Sequence, residues 1–224
     1  EKMNKAKRGL IIVGELTNKF SDEAFWTFAQ SLQWPILADP LSQLRSNVPR
    51  ECQEYVVDQY DALLKNEHFA KSMIPDVVIR FGAQPVSKPL SLFLKTHQPE
   101  TFIIIDENPV FRDSLGVVTH HIQSVPEVFW KEFHVNQTND YVNKWTQANT
   151  IATTHVNRYI IEEKDEGAYA GLLFQQLPDE SDLICGSSMP IRDVDTFFNQ
   201  TSKDIGIYSN RGTNGIDGVV STAL

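Results

Sequence analysis

Two short stretches in the last fifth of the sequence hold residue types suited to binding an anion. "CGSSMPIRD" brings Ser187, Ser188 and Arg192 close together, and "NRGTNGIDG" sets Arg211 just ahead of Gly212, Gly215 and Gly218. Each stretch follows an apolar run and leads into a helical pattern. In open α/β sheets, ligands sit beyond the carboxyl ends of strands, where helix N-termini present unpaired N–H groups. Glycines there let the backbone approach a ligand closely. If the two strands are neighbours, both guanidiniums can face one cleft and clamp a carboxylate through paired donors. The same residues also read as turn punctuation, helix caps and solvated charges, and spacing alone leaves both readings open. Lys88, in "FGAQPVSKPL", begins a helix, where a cation opposes the helix dipole. It is either a surface lysine or one that reaches toward an anion.

Other constellations are weaker. His120 and His121 are adjacent and cannot meet one metal from one helix face. His68, His97, His134 and His155 are scattered, and the single HxxE spacing, His97 to Glu100, contains Pro99. Ser188 lacks the GxSxG elbow of a hydrolase nucleophile. Cys52 and Cys185 are the only cysteines, far apart and without CxxC spacing, which reads as two reduced thiols.

The elements that position these loops follow from hydrophobic periodicity. "RGLIIVGEL", "PILADP", "DVVIRFG" and "TFIIIDE" are short apolar runs, as expected of strands buried on both faces. Helices are predicted between them: one capped by Ser21, a long one from about Glu51 to Lys71, one over "KPLSLFLKTH", and a short closing one over "SVPEVFWKEF". The alternation predicts an α/β, Rossmann-like open parallel sheet with helices on both faces over residues 1–133. The first turn, "VGELTNKF", has one glycine rather than GxGxxG, which argues against a bound NAD. Residues 134–150 are polar and lack a strand, so they read as a linker, with a helix entering near Asp140. Residues 151–224 again alternate: a helix over "EGAYAGLLFQQLP", a strand at "DLICGSS", a helix over "MPIRDVDTFF", a strand at "DIGIYSNRG" and the start of a helix. A two-stranded parallel sheet cannot cover its own core. This second α/β unit is therefore expected to be truncated or completed by another polypeptide.

With 41% hydrophobic residues the chain can bury a core, and its formal net charge of −9 disfavours nucleic acid and anionic membrane surfaces as partners. No apolar run is long enough to insert in a membrane, and a cytoplasmic protein is expected. An acidic protein that handles anions needs local positive charge, which returns attention to the two arginine loops.

Read together, "GSSMPIRDVDTFF" and "YSNRGTNGIDGVVSTA" resemble the MenD family of thiamine-diphosphate-dependent synthases, in order and in separation. "GAQPVSK" resembles the lysine loop of that family's central domain, and the resemblance covers essentially the whole chain. It implies a central Rossmann-like domain followed by the first part of a diphosphate-binding domain. It also implies an N-terminal domain outside this sequence, and an acidic motif for Mg2+ or Mn2+ beyond Leu224, so that no residue of this chain is assigned to the metal. The implied cofactor is thiamine diphosphate. The implied reaction is decarboxylation of 2-oxoglutarate and addition of the succinyl unit to isochorismate, by a homodimer or tetramer. The resemblance assigns Ser188 and Arg192 to the distal carboxylate of 2-oxoglutarate, Arg211 to anionic substrate groups and Lys88 to isochorismate. It assigns Ser187 (asparagine in most of the family), Asn214 and Ile216 to the cofactor. The chain by itself is expected to be inactive. Two alternatives are another thiamine-diphosphate-dependent decarboxylase or synthase, and a non-catalytic Rossmann-like module.

Overall fold

The computed structural model describes residues 3–16, 22–109, 113–132, 140–210 and 218–224. Five strands are runs in which every residue is buried: β1 (Gly9–Val13), β2 (Ile36–Ala38), β3 (Val56–Val57), β4 (Val77–Phe81) and β5 (Thr101–Asp106). With β6 (His120–Gln123) they form a six-stranded sheet in the order β3-β2-β1-β4-β5-β6, and every pairing is parallel. Alternate residues face opposite sides. Ile11, Val13, Ile79 and Phe81 pack on α1 (Asp22–Leu32) and α5 (Pro126–Glu132). Leu10, Ile12, Val78 and Phe102 pack on α2 (Tyr60–Leu64), α3 (Glu67–Ser72) and α4 (Lys88–Thr96). The fold class is the predicted one, an α/β sheet covered on both faces.

Two local expectations are corrected. The long helix predicted over Glu51–Lys71 is instead a 3-10 turn, the two-residue strand β3 and the short helices α2 and α3. Asn66 accepts from the Phe69 N–H and starts α3 as a separate element. β6 was not predicted. Its sequence, HHIQ, is mostly exposed and carries no apolar run, as suits an edge strand.

α6 (Asp140–Glu162) joins the two halves. Its first turns bury Tyr141 and Trp145 in the core of the large sheet, and Ile160 near its end packs against Gly171 of α7 (Glu166–Gln176). β7 (Ser181–Cys185) and β8 (Ile205–Ser209) form a second, two-stranded parallel sheet, with α8 (Met189–Phe197) between them and α9 (Val219–Ala223) after. Its core joins Phe174, Ile191, Val194, Ile205 and Ile207 to Leu41, which follows β2, and to Val86, which follows β4. The second unit therefore sits on the carboxyl ends of the first sheet.

The crevice where a dinucleotide would enter such a sheet lies between β1 and β4. Backbone fills it. A side chain on Gly14, just past β1, would lie 1.8 Å from the Ala83 carbonyl oxygen, and Ala83 donates its N–H to Glu15 O at 2.9 Å. Gly14 makes room for the β4–α4 loop, not for a ligand.

Candidate functional site

β7 and β8 are neighbours in register, Cys185 opposite Ser209, so the loops that leave them emerge side by side. The Ser187 hydroxyl donates to the Asn210 carbonyl at 2.8 Å and ties the two loops together. That bond uses the single proton of Ser187, whose hydroxyl can then only accept. Ser188 follows as the N-cap of α8 with φ +75° and ψ −122°. A non-glycine residue in such a conformation stores about 1–3 kcal/mol of strain, of the kind that collects at functional sites. Ser188 makes no side-chain cap bond, so in the first turn of α8, where Pro190 has no N–H, the N–H groups of Met189 and Ile191 are left without a side-chain cap. Arg192 lies four residues on, at the end of the first turn of α8, and both residues are exposed. Among the described residues the guanidinium meets only Met189 Sδ, at 3.9 Å, and no carboxylate.

Lys88 is exposed at the first position of α4. The Ser87 hydroxyl caps that helix by accepting from Leu90 N–H and donates to Asp61 at 2.7 Å. Val86 donates its N–H to Asp39 at 2.8 Å and packs into the core of the second unit. The lysine loop is thus fastened to the junction that carries α8. Arg211, Asn214 and Ile216, with Gly212 and Gly215, lie outside the described residues.

The junction depends on a residue that sequence reasoning passed over. Arg45 is fully buried in the segment after β2. Its Nε donates to Ala38 O at 2.8 Å, and one terminal nitrogen donates to Asp195 O at 2.8 Å and Phe198 O at 3.0 Å. The other meets the Asp195 carboxylate at 2.5 Å. The Tyr60 hydroxyl donates to the same carboxylate oxygen at 3.0 Å. Burial pulls the guanidinium down, but Asp195, Tyr60, Asp58 and Asp39 outweigh it and hold Arg45 above its ordinary value. Burial pushes the Asp195 carboxyl up to about 7, against the pull of Arg45. Around this pair Gln43 completes the open edge of β8. Its carboxamide accepts from Ile207 N–H at 2.9 Å and donates to Ile207 O at 2.7 Å, as a neighbouring strand would. Further along, the Asn149 carboxamide of α6 donates to Asp58 and accepts from Gln59 N–H, each at 3.0 Å. Gln200 N–H donates to the other Asp58 oxygen at 2.7 Å.

Other features stand apart from this arrangement. A cavity of about 830 Å3 lies between the β7–β8 pair and the segments that follow β1 and β2, bordered by Leu16, Gln43, Asp182, Tyr208 and Asn210, and none of Lys88, Ser187, Ser188 or Arg192 lines it. Among the described residues no group of three or more His, Cys, Asp or Glu side chains is placed to hold a metal. The acidic motif expected beyond Leu224 lies outside the described residues, and Leu224 itself, an exposed leucine that follows α9, offers no side-chain ligand. Cys52 and Cys185 are buried thiols, and burial pushes Cys52 up. No helix among the described residues is long and apolar enough to cross a membrane.

The two sheets, the seat of α8 and the tied loops can be set beside known proteins. Residues 2–185 match a family model described as the middle domain of thiamine pyrophosphate. The chain belongs to this middle-domain family. The middle-domain match covers the large sheet, α6, α7 and β7, and ends where the Ser187 loop begins. Relatives of this middle domain carry the name 2-succinyl-5-enolpyruvyl-6-hydroxy-3-cyclohexene-1-carboxylate synthase. Those from Lysinibacillus sphaericus and Bacillus pumilus are each 44% identical over 99% of this chain, and one from Geobacillus thermodenitrificans is 41% identical over all of it. The chain spans 39% of the length of each of these relatives.

Proposed function

We propose that the chain is part of a thiamine-diphosphate-dependent synthase that decarboxylates 2-oxoglutarate and adds the succinyl unit to isochorismate in menaquinone biosynthesis. Residues 1–133 serve as the middle domain, 134–150 as the connection and 151–224 as the start of the diphosphate-binding domain. The names and identities of the relatives support this reading. The observation that carries it is the start of α8, with strained Ser188, an uncapped helix N-terminus and an Arg192 that meets no carboxylate among the described residues.

This donor set fits a dianionic substrate and a diphosphate together. Thiamine diphosphate, when bound, supplies the thiazolium carbon and the electron sink for loss of carbon dioxide. Arg192 offers a planar fork to the distal carboxylate of 2-oxoglutarate, and the exposed Ser188 hydroxyl donates beside it. Because the Ser187 proton is given to Asn210, donation to a phosphate oxygen here falls to backbone N–H groups. Lys88 serves isochorismate from the middle-domain side, Arg211 the anionic groups of both substrates, and Asn214 and Ile216 the cofactor ring. Mg2+ or Mn2+ is held by residues beyond Leu224. The working enzyme is a homodimer or tetramer in the cytoplasm.

The test is made on the full-length gene product. It is expected to release carbon dioxide from 2-oxoglutarate only with thiamine diphosphate and a divalent cation, and to consume isochorismate in step. Arg192→Ala should raise KM for 2-oxoglutarate by about ten- to a hundredfold, the worth of a lost charge-assisted bond of about 1.5–3 kcal/mol. Failure to turn over 2-oxoglutarate under these conditions would refute the reading.

A further inference from the structure

α8 carries Ser188 and Arg192 at its start, and its far end is held by the other sheet. We propose that Arg45, together with Tyr60, is a positioning residue for Arg192: it fixes the axis and rotation of α8, and so the point at which the Arg192 guanidinium meets a substrate carboxylate. The proposal rests on the reading of Arg192 as a carboxylate clamp.

The geometry separates this role from ordinary packing. Four of the five Arg45 donors are used, and they span two elements. One bond fixes the guanidinium to Ala38 O, the carboxyl end of β2. The rest grip the last turn of α8 through two carbonyls and one carboxylate. Three bonds from one rigid plane define both the height and the rotation of a helix end, which a single point charge does not. Tyr60 bonds the same Asp195 oxygen, so that carboxylate is held from α2 as well. Gln59 adds Thr196 O at 3.2 Å and Asn199 Oδ1 at 2.8 Å. Asp195 lies one turn beyond Arg192 on a helix of nine residues, so a displaced clamp at one end is felt at the other. A well-packed apolar cluster often matches or exceeds a buried ion pair in stability. The pair adds direction instead. Misplacement of a binding group by about 1 Å costs about a hundredfold in rate.

The experiment combines a distance measurement with a kinetic cycle in the full-length gene product. Spin labels are placed on Arg192→Cys and on Lys95→Cys, an exposed site on α4, while Cys52 and Cys185 are buried from the reagent. With Arg45 intact, one narrow distance distribution is expected. Arg45→Lys should broaden or shift it. Arg45→Met/Tyr60→Phe/Asp195→Leu, an apolar replacement designed to retain folding, should do the same while keeping a melting temperature near that of the parent. In unlabelled protein, Arg45→Lys should raise KM for 2-oxoglutarate about tenfold, and should add less than about twofold once Arg192 is already alanine. A distribution unchanged in both variants overturns the proposal, as does a KM effect that is fully additive with Arg192→Ala. If the distribution broadens while Arg192→Ala leaves KM unchanged, the positioning role stands and the carboxylate clamp fails.

Discussion

Replacing Asn149 with leucine should loosen the seam between the two sheets by an amount that the bonding pattern sets. The side chain is 6% exposed and bonds Asp58 and Gln59 N–H at once, both on residues 1% exposed. Leucine keeps much of the volume, so the cavity contribution is small. What remains is two buried polar groups stripped of a partner: Gln59 N–H loses its acceptor, and Asp58 is left with the Gln200 N–H on its other oxygen. Each such group costs about 1–3 kcal/mol, more where charge is involved. A total of about 3 kcal/mol corresponds to a fall of about 6–12 °C in melting temperature for a chain of this size. Urea unfolding followed by fluorescence suits the purpose, because Trp145 sits one turn before Asn149 on α6. Thr150→Ala, at an exposed neighbour that bonds only within its own helix, should stay within about 0.5 kcal/mol of the parent. If Asn149→Leu also fell within that margin, the carboxamide would not be fastening the seam.

The buried acid gives a pH signature. Burial raises the Asp195 carboxyl above its unfolded value of about 3.9 against the pull of Arg45, so its contribution to stability falls as pH rises from that value toward the raised folded one. Unfolding free energies of the parent minus those of Asp195→Asn should slope downward from about pH 4 to 7, and a flat difference would count against the shift. Gly14→Ala drives a methyl group into the Ala83 carbonyl and should cost at least about 1–3 kcal/mol by denaturant titration; a neutral result would mean the β4–α4 loop yields freely. Arg192→Lys in the full-length gene product should recover less than half of the 2-oxoglutarate affinity lost in Arg192→Ala, measured as KM, because lysine cannot present the planar fork. Full recovery would reduce the clamp to a simple charge.

The strands most legible in the sequence were those with the strongest burial. β1, β4 and β5 are mostly apolar runs, interrupted in β4 by the buried Arg80 and bounded in β5 by Thr101 and Asp106, because both of their faces are covered. β3 was hidden for the opposite reason. Two valines inside a stretch of helix-forming residues carry no period, and only pairing with β2 makes them a strand. β6 shows no hydrophobic signal because it lies at the sheet edge and is largely exposed. In the candidate site, Ser187, Ser188 and Arg192 were legible because a strand end, a serine pair and a helix start are local features. The seat beneath them was not, since Arg45 meets Asp195 across 150 residues. The available hint was a lone arginine between leucine and serine in "LSQLRSNV", directly after a strand, a pattern that a solvated charge shares.

That separation also orders events on the ribosome. At about 5–20 residues per second, some 8–30 s pass between the synthesis of Arg45 and that of Asp195. During that interval the large sheet can finish folding, while Leu41, Arg45 and Val86 still face solvent with nothing to cover them. β8 then meets a prepared edge: the Gln43 carboxamide waits where a neighbouring strand would otherwise stand. The later unit is shaped against the earlier one as it emerges. A nascent chain stalled before residue 195 presents Leu41 and Val86 as an uncovered apolar surface, with Arg45 beside Asp39 and Asp58 but without Asp195, to chaperones and to other nascent chains.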